Sequence, residues 1–279
     1  MSTRARSKVF LNGATVMSTS TTDLIAISRA AGFDGIEVRS ERLLASVDEV
    51  LGAAALVRRG EIWSLNGLQL KTGVDGRLDR ETLVRELTPR LEICRTLGAA
   101  YLLVVPPRIR GLQHEPAAEP EPAIAEMQQG LALVQEHARE SGVGIAFEFL
   151  GFGDCPINTP SLARAVVDGV PGVNLVLDSC HWHAAGSGSL SEFPVDRLVM
   201  VHLNDVPAIP PRDIEDADRV LPGRGVIRLA GLLAELRDCG YRGPFSLETF
   251  NPALWDDDPR DVARLGLDSI RHLVGAAAS

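Results

Sequence analysis

Strand-like and helix-like signals alternate along the whole chain, and few folds can absorb such a pattern. Short apolar runs fall at Val9–Asn12, Gly35–Arg39, 61–65, Tyr101–Val105, 144–149, 173–178, 198–203 and 244–249. Between and after them, apolar residues recur at helical spacing over 22–32, 43–58, Arg80–Leu97, 123–141, 160–169, a short segment near 189–193, 227–239 and 259–274. Thr22-Asp23 opens the first of these helices and Gly32 stops it; Gly98 stops the one before Tyr101. The Pro- and Glu-containing stretch 115–122 reads as a loop. No linker separates the 279 residues into two units, so one α/β domain over 1–279, a single (β/α)8 barrel, is expected. A doubly wound open sheet ranks lower, because no G-x-G-x-x-G or G-x-x-x-x-G-K-S/T segment follows the first strand.

Such a barrel does its chemistry at the C-terminal ends of its strands. Strands five to eight end in Glu148, Asp178, His202 and Glu248, each closing an apolar run such as Gly144-Ile-Ala-Phe-Glu148 or Leu198-Val-Met-Val-His202. Burying an unpaired carboxylate costs several kcal/mol. Three at apolar strand mouths therefore need a common partner, and a divalent metal supplies one. The bland alternative is four unrelated residues facing loops or salt bridges.

Bulk properties set the surroundings. A net charge of -9 argues against a nucleic-acid binder that works by neutralising phosphates. Cys94, Cys155, Cys180 and Cys239 form no C-x-x-C pair, and Met1 to Lys8 has basic residues but no apolar core of a signal peptide. No segment has the length of an uninterrupted membrane span. A soluble cytoplasmic protein with reduced thiols is the expectation.

Four segments, Leu177-Asp-Ser-Cys-His-Trp-His-Ala-Ala-Gly186, Val201-His-Leu-Asn-Asp205, Arg219-Val-Leu-Pro-Gly-Arg-Gly225 and Ser246-Leu-Glu-Thr-Phe-Asn-Pro252, resemble the xylose-isomerase-like TIM-barrel sugar isomerases and epimerases, and within them the inosose (2-keto-myo-inositol) isomerases of inositol catabolism. Leu11-Asn12-Gly-Ala-Thr15, Gly35-Ile-Glu-Val-Arg39, Ser64-Leu-Asn66, Leu97-Gly98 and Asn158-Thr159 extend the likeness through most of the chain. The resemblance implies that Glu148, Asp178, His202 and Glu248 bind one divalent ion. Three carboxylates and an imidazole suit Mn²⁺ first, then Mg²⁺, and leave Co²⁺ and Zn²⁺ open. It also implies proton transfer beside a carbonyl, with Glu148 and Glu248 as the acid/base pair and a sugar or cyclitol as substrate. A purely structural role for Glu248 is the competing reading.

His181, three residues after Asp178, resembles the family's substrate-side histidine, and Arg224 a substrate-facing loop position. A histidine satisfying loop backbone and an exposed loop arginine are the respective alternatives, and His183 reads as structural. Glu37 and Arg39 could reach the cavity or pair with each other. Asn12 and Asn66 could donate to substrate hydroxyls or cap loops. Trp182 is a candidate apolar wall, Trp63 ordinary core, and Asp205 a support for a ligand or a loop. Ser179 lacks the G-x-S-x-G of a hydrolase elbow.

Two other functions use the same scaffold. A lyase would follow the same deprotonation by loss of a β-substituent, as a dehydratase or, with a small partner subunit, a deglycosidase of 3-keto-C-glycosides. An apurinic-site endonuclease needs more His and acidic ligands and a basic surface; with six His, of which His114, His137 and His272 lie off the strand ends, it ranks last. Homo-oligomerisation stays open, with Phe250 and Trp255 as candidates to cover a neighbour's site.

Overall fold

Near-continuous apolar runs, buried toward the barrel interior on one face and under the surrounding helices on the other, drive each segment into a parallel strand. The strands pair in sequence order as β1 (Val9–Asn12), β2 (Gly35–Arg39), β3 (Ile62–Gln69), β4 (Tyr101–Val105), β5 (Gly144–Glu148), β6 (Asn174–Asp178), β7 (Leu198–Leu203) and β8 (Phe245–Leu247), and β8 pairs with β1 to close the barrel. The structure, a computed structural model, describes residues 6–73, 75–109, 120–191 and 193–277. His114 and the 115–119 part of the expected loop lie outside the described residues, as does the basic start at 1–5.

The surrounding helices are α1 (Thr21–Ala31), α2 (Ser40–Ala45), α3 (Val47–Leu56), α4 (Arg80–Leu97), α5 (Glu121–Ala138), α6 (Pro160–Asp168), α7 (Ser179–Ala184), α8 (Leu229–Asp238), α9 (Pro252–Trp255) and α10 (Pro259–Ala277). The helix expected over 43–58 is two helices. Ser46 adopts an extended conformation between them, and its side chain accepts from Glu49 N, so Ser46-Val-Asp-Glu49 starts a helix of its own. The short helix expected near 189–193 is not formed among its described residues. A helix instead begins directly after β6, where Asp178 caps it by accepting from His181 N at 2.9 Å. β3 runs four residues past its expected end at Leu65, with register irregularities against both neighbours.

Inside the barrel the alternation builds two layers. Phe10, Leu103, Ala146, Val176 and Met200 form an apolar cluster, joined by Trp63, Tyr101 and Val199. Trp63 therefore belongs to the apolar end, 5.2 Å from Phe10 and 5.4 Å from Tyr101 between ring centroids. Gly35 makes room for Phe10: a Cβ there would stand 2.8 Å from that ring and 2.3 Å from Glu61 O. Two residues further along the same strands come Asn12, Glu148, Asp178 and His202, on the same inward face and toward the C-terminal end. Glu248, just past β8, joins them.

Among the described residues no helix is long and apolar enough to cross a membrane. The cysteines are free thiols; Cys94, Cys155 and Cys180 are buried and Cys239 is exposed.

Candidate active site

Glu148, Asp178, His202 and Glu248 converge: each offers a ligand atom, these atoms lie within 4.8 Å of one another, and all four residues are buried. Strand register does part of this work, since Asp178 is directly opposite His202 across β6 and β7. His202 sits among three carboxylates, with Nδ1 3.0 Å from Glu148 Oε1 and 3.0 Å from Glu248 Oε2, and Nε2 3.1 Å from Glu37 Oε1. Glu37 is thus part of the cluster. Of the two readings open for Glu37, reaching the cavity or pairing with Arg39, the structure shows the first: Arg39 binds Glu41 at 2.8 Å and lies over the Phe250 ring. Glu37 is held by Ser64 Oγ and Asn12 Nδ2, which donate to it at 2.5 and 3.3 Å. Asn12 also donates to Glu248 at 2.9 Å while its own oxygen accepts from Ala14 N, so it serves both the cluster and the loop. Asn66 Nδ2 donates to Glu248 at 3.4 Å.

The residue that strand ends could not reveal is Arg219. It lies in the long connection between β7 and α8 yet is 1% exposed. Nη1 donates to Asp178 at 3.1 Å and Glu248 at 3.2 Å; Nη2 donates to Asp216 at 2.8 Å and meets His181 Nε2 at 3.1 Å. Its backbone is fixed by Asn251 Nδ2 on Arg219 O and by the Asp205 bridge to Val220. Asp205 accepts from Val206 N, Gly223 N and Ile227 N, so its role is to hold this loop. Arg224, five residues on, is exposed, and the structure does not bring it to the cluster. The sequence signal was present: both arginines stand in Arg219-Val-Leu-Pro-Gly-Arg-Gly225, and the Pro-Gly turn puts the second one outside.

His181 is buried, with Phe152 edge-on at 4.8 Å. A guanidinium can only donate, so His181 Nε2 accepts from Arg219 and the neutral ring carries its proton on Nδ1. That Nδ1 is buried and has no hydrogen-bond partner among the described residues. His183 is half-buried near Ser187 Oγ. Trp182 is buried with Nε1 donating to Gly188 O at 2.8 Å, which ties it to its own loop. Phe250 lies between Arg39 and Arg219, and Trp255 donates to Ala14 O, so both aromatics have partners within the chain.

The charges pull one another apart. Burial pushes Glu148 up to about 7 against the attraction of His202. Burial also raises Asp178, against Arg219. Glu248 experiences the same burial, but His202 and Arg219 outweigh it and hold the carboxyl well below its usual range. Burial lowers His202, yet Glu248, Glu37 and Glu148 together keep it well above its ordinary value. Burial and the charge of Arg219 keep His181 neutral. Four carboxylates face one guanidinium and one imidazole, so negative charge is in excess even with His202 protonated. A divalent cation would neutralise that excess, and an imidazole with carboxylates is a donor set that suits one.

Known proteins show the same arrangement of chain. An inosose isomerase of Bacillus velezensis is 32% identical over 233 residues, 79% of this chain and 80% of that one. A 3-dehydroshikimate dehydratase of Pseudomonas aeruginosa is 30% identical over 257 residues, 88% of this chain and 38% of that longer one. The crystal structure of the IolI protein with a bound zinc atom superposes with a TM-score of 0.86 at 27% identity, covering 97% of this chain and 99% of that chain. These relatives are similar to this chain along nearly the whole barrel. Residues 25–273 match the xylose isomerase-like TIM barrel family, and the chain belongs to that family.

Proposed function

We propose that this protein is a divalent-metal-dependent isomerase of a keto-cyclitol of the inosose type, working by removal and return of the proton on a carbon next to a carbonyl. The observation that carries the reading is the convergence of Glu148, Asp178, His202 and Glu248 at the barrel mouth. Similarity to curated inosose isomerases supports the substrate class. Reduced thiols support a cytoplasmic setting.

A divalent ion held by these four residues, Mn²⁺ by the preference of an oxygen-rich set or Zn²⁺ by analogy with IolI, would polarise the substrate carbonyl and balance charge developing on its oxygen. The chain's own groups supply the rest. Glu148 and Glu248 have environments that push their proton affinities in opposite directions, the pattern expected of an acid/base pair. One takes the α-proton and the other returns it. His181 offers its free Nδ1–H to a substrate oxygen, and Arg219 holds that tautomer while steadying Asp178 and Glu248. Arg224 remains an outer-loop candidate for substrate contact.

The dehydratase relatives favour one second reading, in which the same first deprotonation is followed by loss of water. NMR of inososes, ketohexoses, 3-keto-glycosides and 3-dehydroshikimate in D₂O with Mn²⁺ supplied separates the two. The isomerase gives a product that retains all the substrate's heavy atoms and carries deuterium at the exchanged carbon; the dehydratase gives a product short of one water. Glu148→Gln and Glu248→Gln each lower turnover by roughly 10² to 10⁴-fold while keeping part of the metal. The variant that lacks the first base also loses α-proton exchange. If both Gln variants turn over like the parent, the two glutamates have no part in proton transfer.

A further inference from the structure

Arg108, three residues past the end of β4, is bound on both edges by carboxylates from two other loops. Nε donates to Asp154 Oδ1 and Oδ2 at 2.9 and 3.0 Å, in the β5–α6 loop. Nη1 and Nη2 donate to Glu215 Oε2 and Oε1 at 2.8 and 3.1 Å, in the β7–α8 loop. Ile109 N donates to Asp154 O at 2.7 Å, so the backbone ties the β4 and β5 loops at the same place. The guanidinium carbon lies 4.3 Å from the centroid of the Phe152 ring, and Phe152 meets His181 edge-on with an interplanar angle of 89°. On its other side His181 is held by Arg219.

For stability alone this arrangement is a poor investment. The Arg108 side chain is 31% exposed and that of Glu215 60%, and ion pairs that wet contribute little. What the fork and the flat cation face do together is fix a plane. With Asp154 and Glu215 setting its orientation, the guanidinium covers Phe152 and keeps that ring from tilting away from His181.

We infer that Arg108 is a positioning residue: acting through Phe152, it sets the orientation of the His181 ring and so the direction of its free Nδ1–H. The inference rests on the reading of His181 as a donor to substrate, but its first test needs no substrate. In protein loaded with diamagnetic Zn²⁺, the His181 ring ¹H–¹³C signal is assigned by its loss in His181→Gln. Arg108→Met keeps the apolar stem and loses the fork. It should shift and broaden that signal while the melting temperature stays within about 2 °C of the parent. Arg108→Lys restores the charge without the fork or plane and should recover the signal in part. On whichever panel substrate the parent converts, Arg108→Met should lower kcat by roughly 10- to 100-fold with a smaller change in KM. Should Arg108→Met fail to fold, Glu215→Gln, which leaves Asp154 and the Phe152 stack in place, should move the signal in the same direction by less. An unmoved His181 signal in the folded variant overturns the inference, whatever happens to turnover. A moved signal in a protein that converts nothing in the panel leaves the positioning role standing and removes the proposed reaction.

Discussion

Two layers inside one barrel, a single side-chain repeat apart, follow opposite rules. Phe10, Ala146, Val176 and Met200 pack without a polar side chain among them, whereas Asn12, Glu148, Asp178 and His202, two positions on, hold almost nothing but charge and hydrogen-bonding groups. The backbone that presents both is the same set of parallel strands. The apolar layer gains free energy by leaving water. In the charged layer each ion loses several kcal/mol by leaving water, and pairing outweighs that cost at Glu248 and His202 but falls short of it at Glu148 and Asp178. Stability and chemistry are therefore stacked along the barrel axis, and the strong floor makes the costly mouth tolerable.

The largest expected effect comes from removing one charge from the mouth while keeping its shape. Asp178→Asn retains an oxygen to cap α7 but loses one carboxylate of the proposed metal site. Metal affinity should fall by at least about 100-fold, because even residues that merely orient a ligand cost 10 to 100-fold when lost, and turnover should go with it. Burial, against the attraction of Arg219, holds the Asp178 carboxyl above its ordinary range. Asp178 Oδ2 also accepts from Arg219 and Asn204, so the amide leaves buried donors without that acceptor, and the metal-free variant should melt below the parent. Full metal occupancy in Asp178→Asn, measured by calorimetric titration, would remove the metal site from the mouth.

The floor should respond the other way. Leu103 is 3% exposed in the apolar layer, and Leu103→Ala should cost about 2 to 5 kcal/mol of stability through lost transfer energy and the cavity left behind. Metal affinity and turnover per folded molecule should stay within about twofold, read well below the transition, because the strands still end in the same four converging residues. A loss of turnover out of proportion to the unfolded fraction would mean that the two layers are mechanically coupled and the comparison is too simple.

How much of this could be read from residues alone follows from the same geometry. The barrel was legible because strand and helix each leave a local period, and the four converging residues because each stands where an apolar run stops. Glu37 was left open between the cavity and Arg39, because no local pattern shows that its partner, His202, comes from across the barrel. Arg219 was passed over because loop residues carry no period, and only the folded connection shows which of two arginines turns inward. Asp178 was read only as a candidate ligand and its place as a helix cap was missed, which displaced the following helix by about ten residues from where it forms. Ser46 was a cap signal inside an apolar stretch that looked continuous.

The smallest effect sharpens the comparison through pH. At the N-terminal end of β3, Glu61 ties α1 to the barrel: Arg29 Nε and Nη2 donate to its two oxygens at 2.6 Å each, and Arg58 N donates at 2.7 Å. The hydrogen bonds from Arg29 hold the Glu61 carboxyl below its ordinary range. A carboxyl lowered on folding stabilises above its unfolded value, about 4.3, and that contribution disappears as pH falls through the lower folded value. At Glu148 in the mouth the sign is reversed, because burial pushes it up to about 7, whereas Glu248 beside it is lowered. The Glu148 contribution to the metal-free fold is present below about 4.3 and lost as pH rises through the folded value. Glu61→Gln should therefore lower the melting temperature by about 2 °C at neutral pH, with the gap to the parent closing on acidification below about 4.3. Glu148→Gln, metal-free, should show no gap near pH 4 and a gain over the parent as pH rises through about 7. Melting curves of parent and both variants across pH read the two slopes directly, and slopes of the same sign would show that Glu61 and Glu148 do not bear their charges in opposite ways.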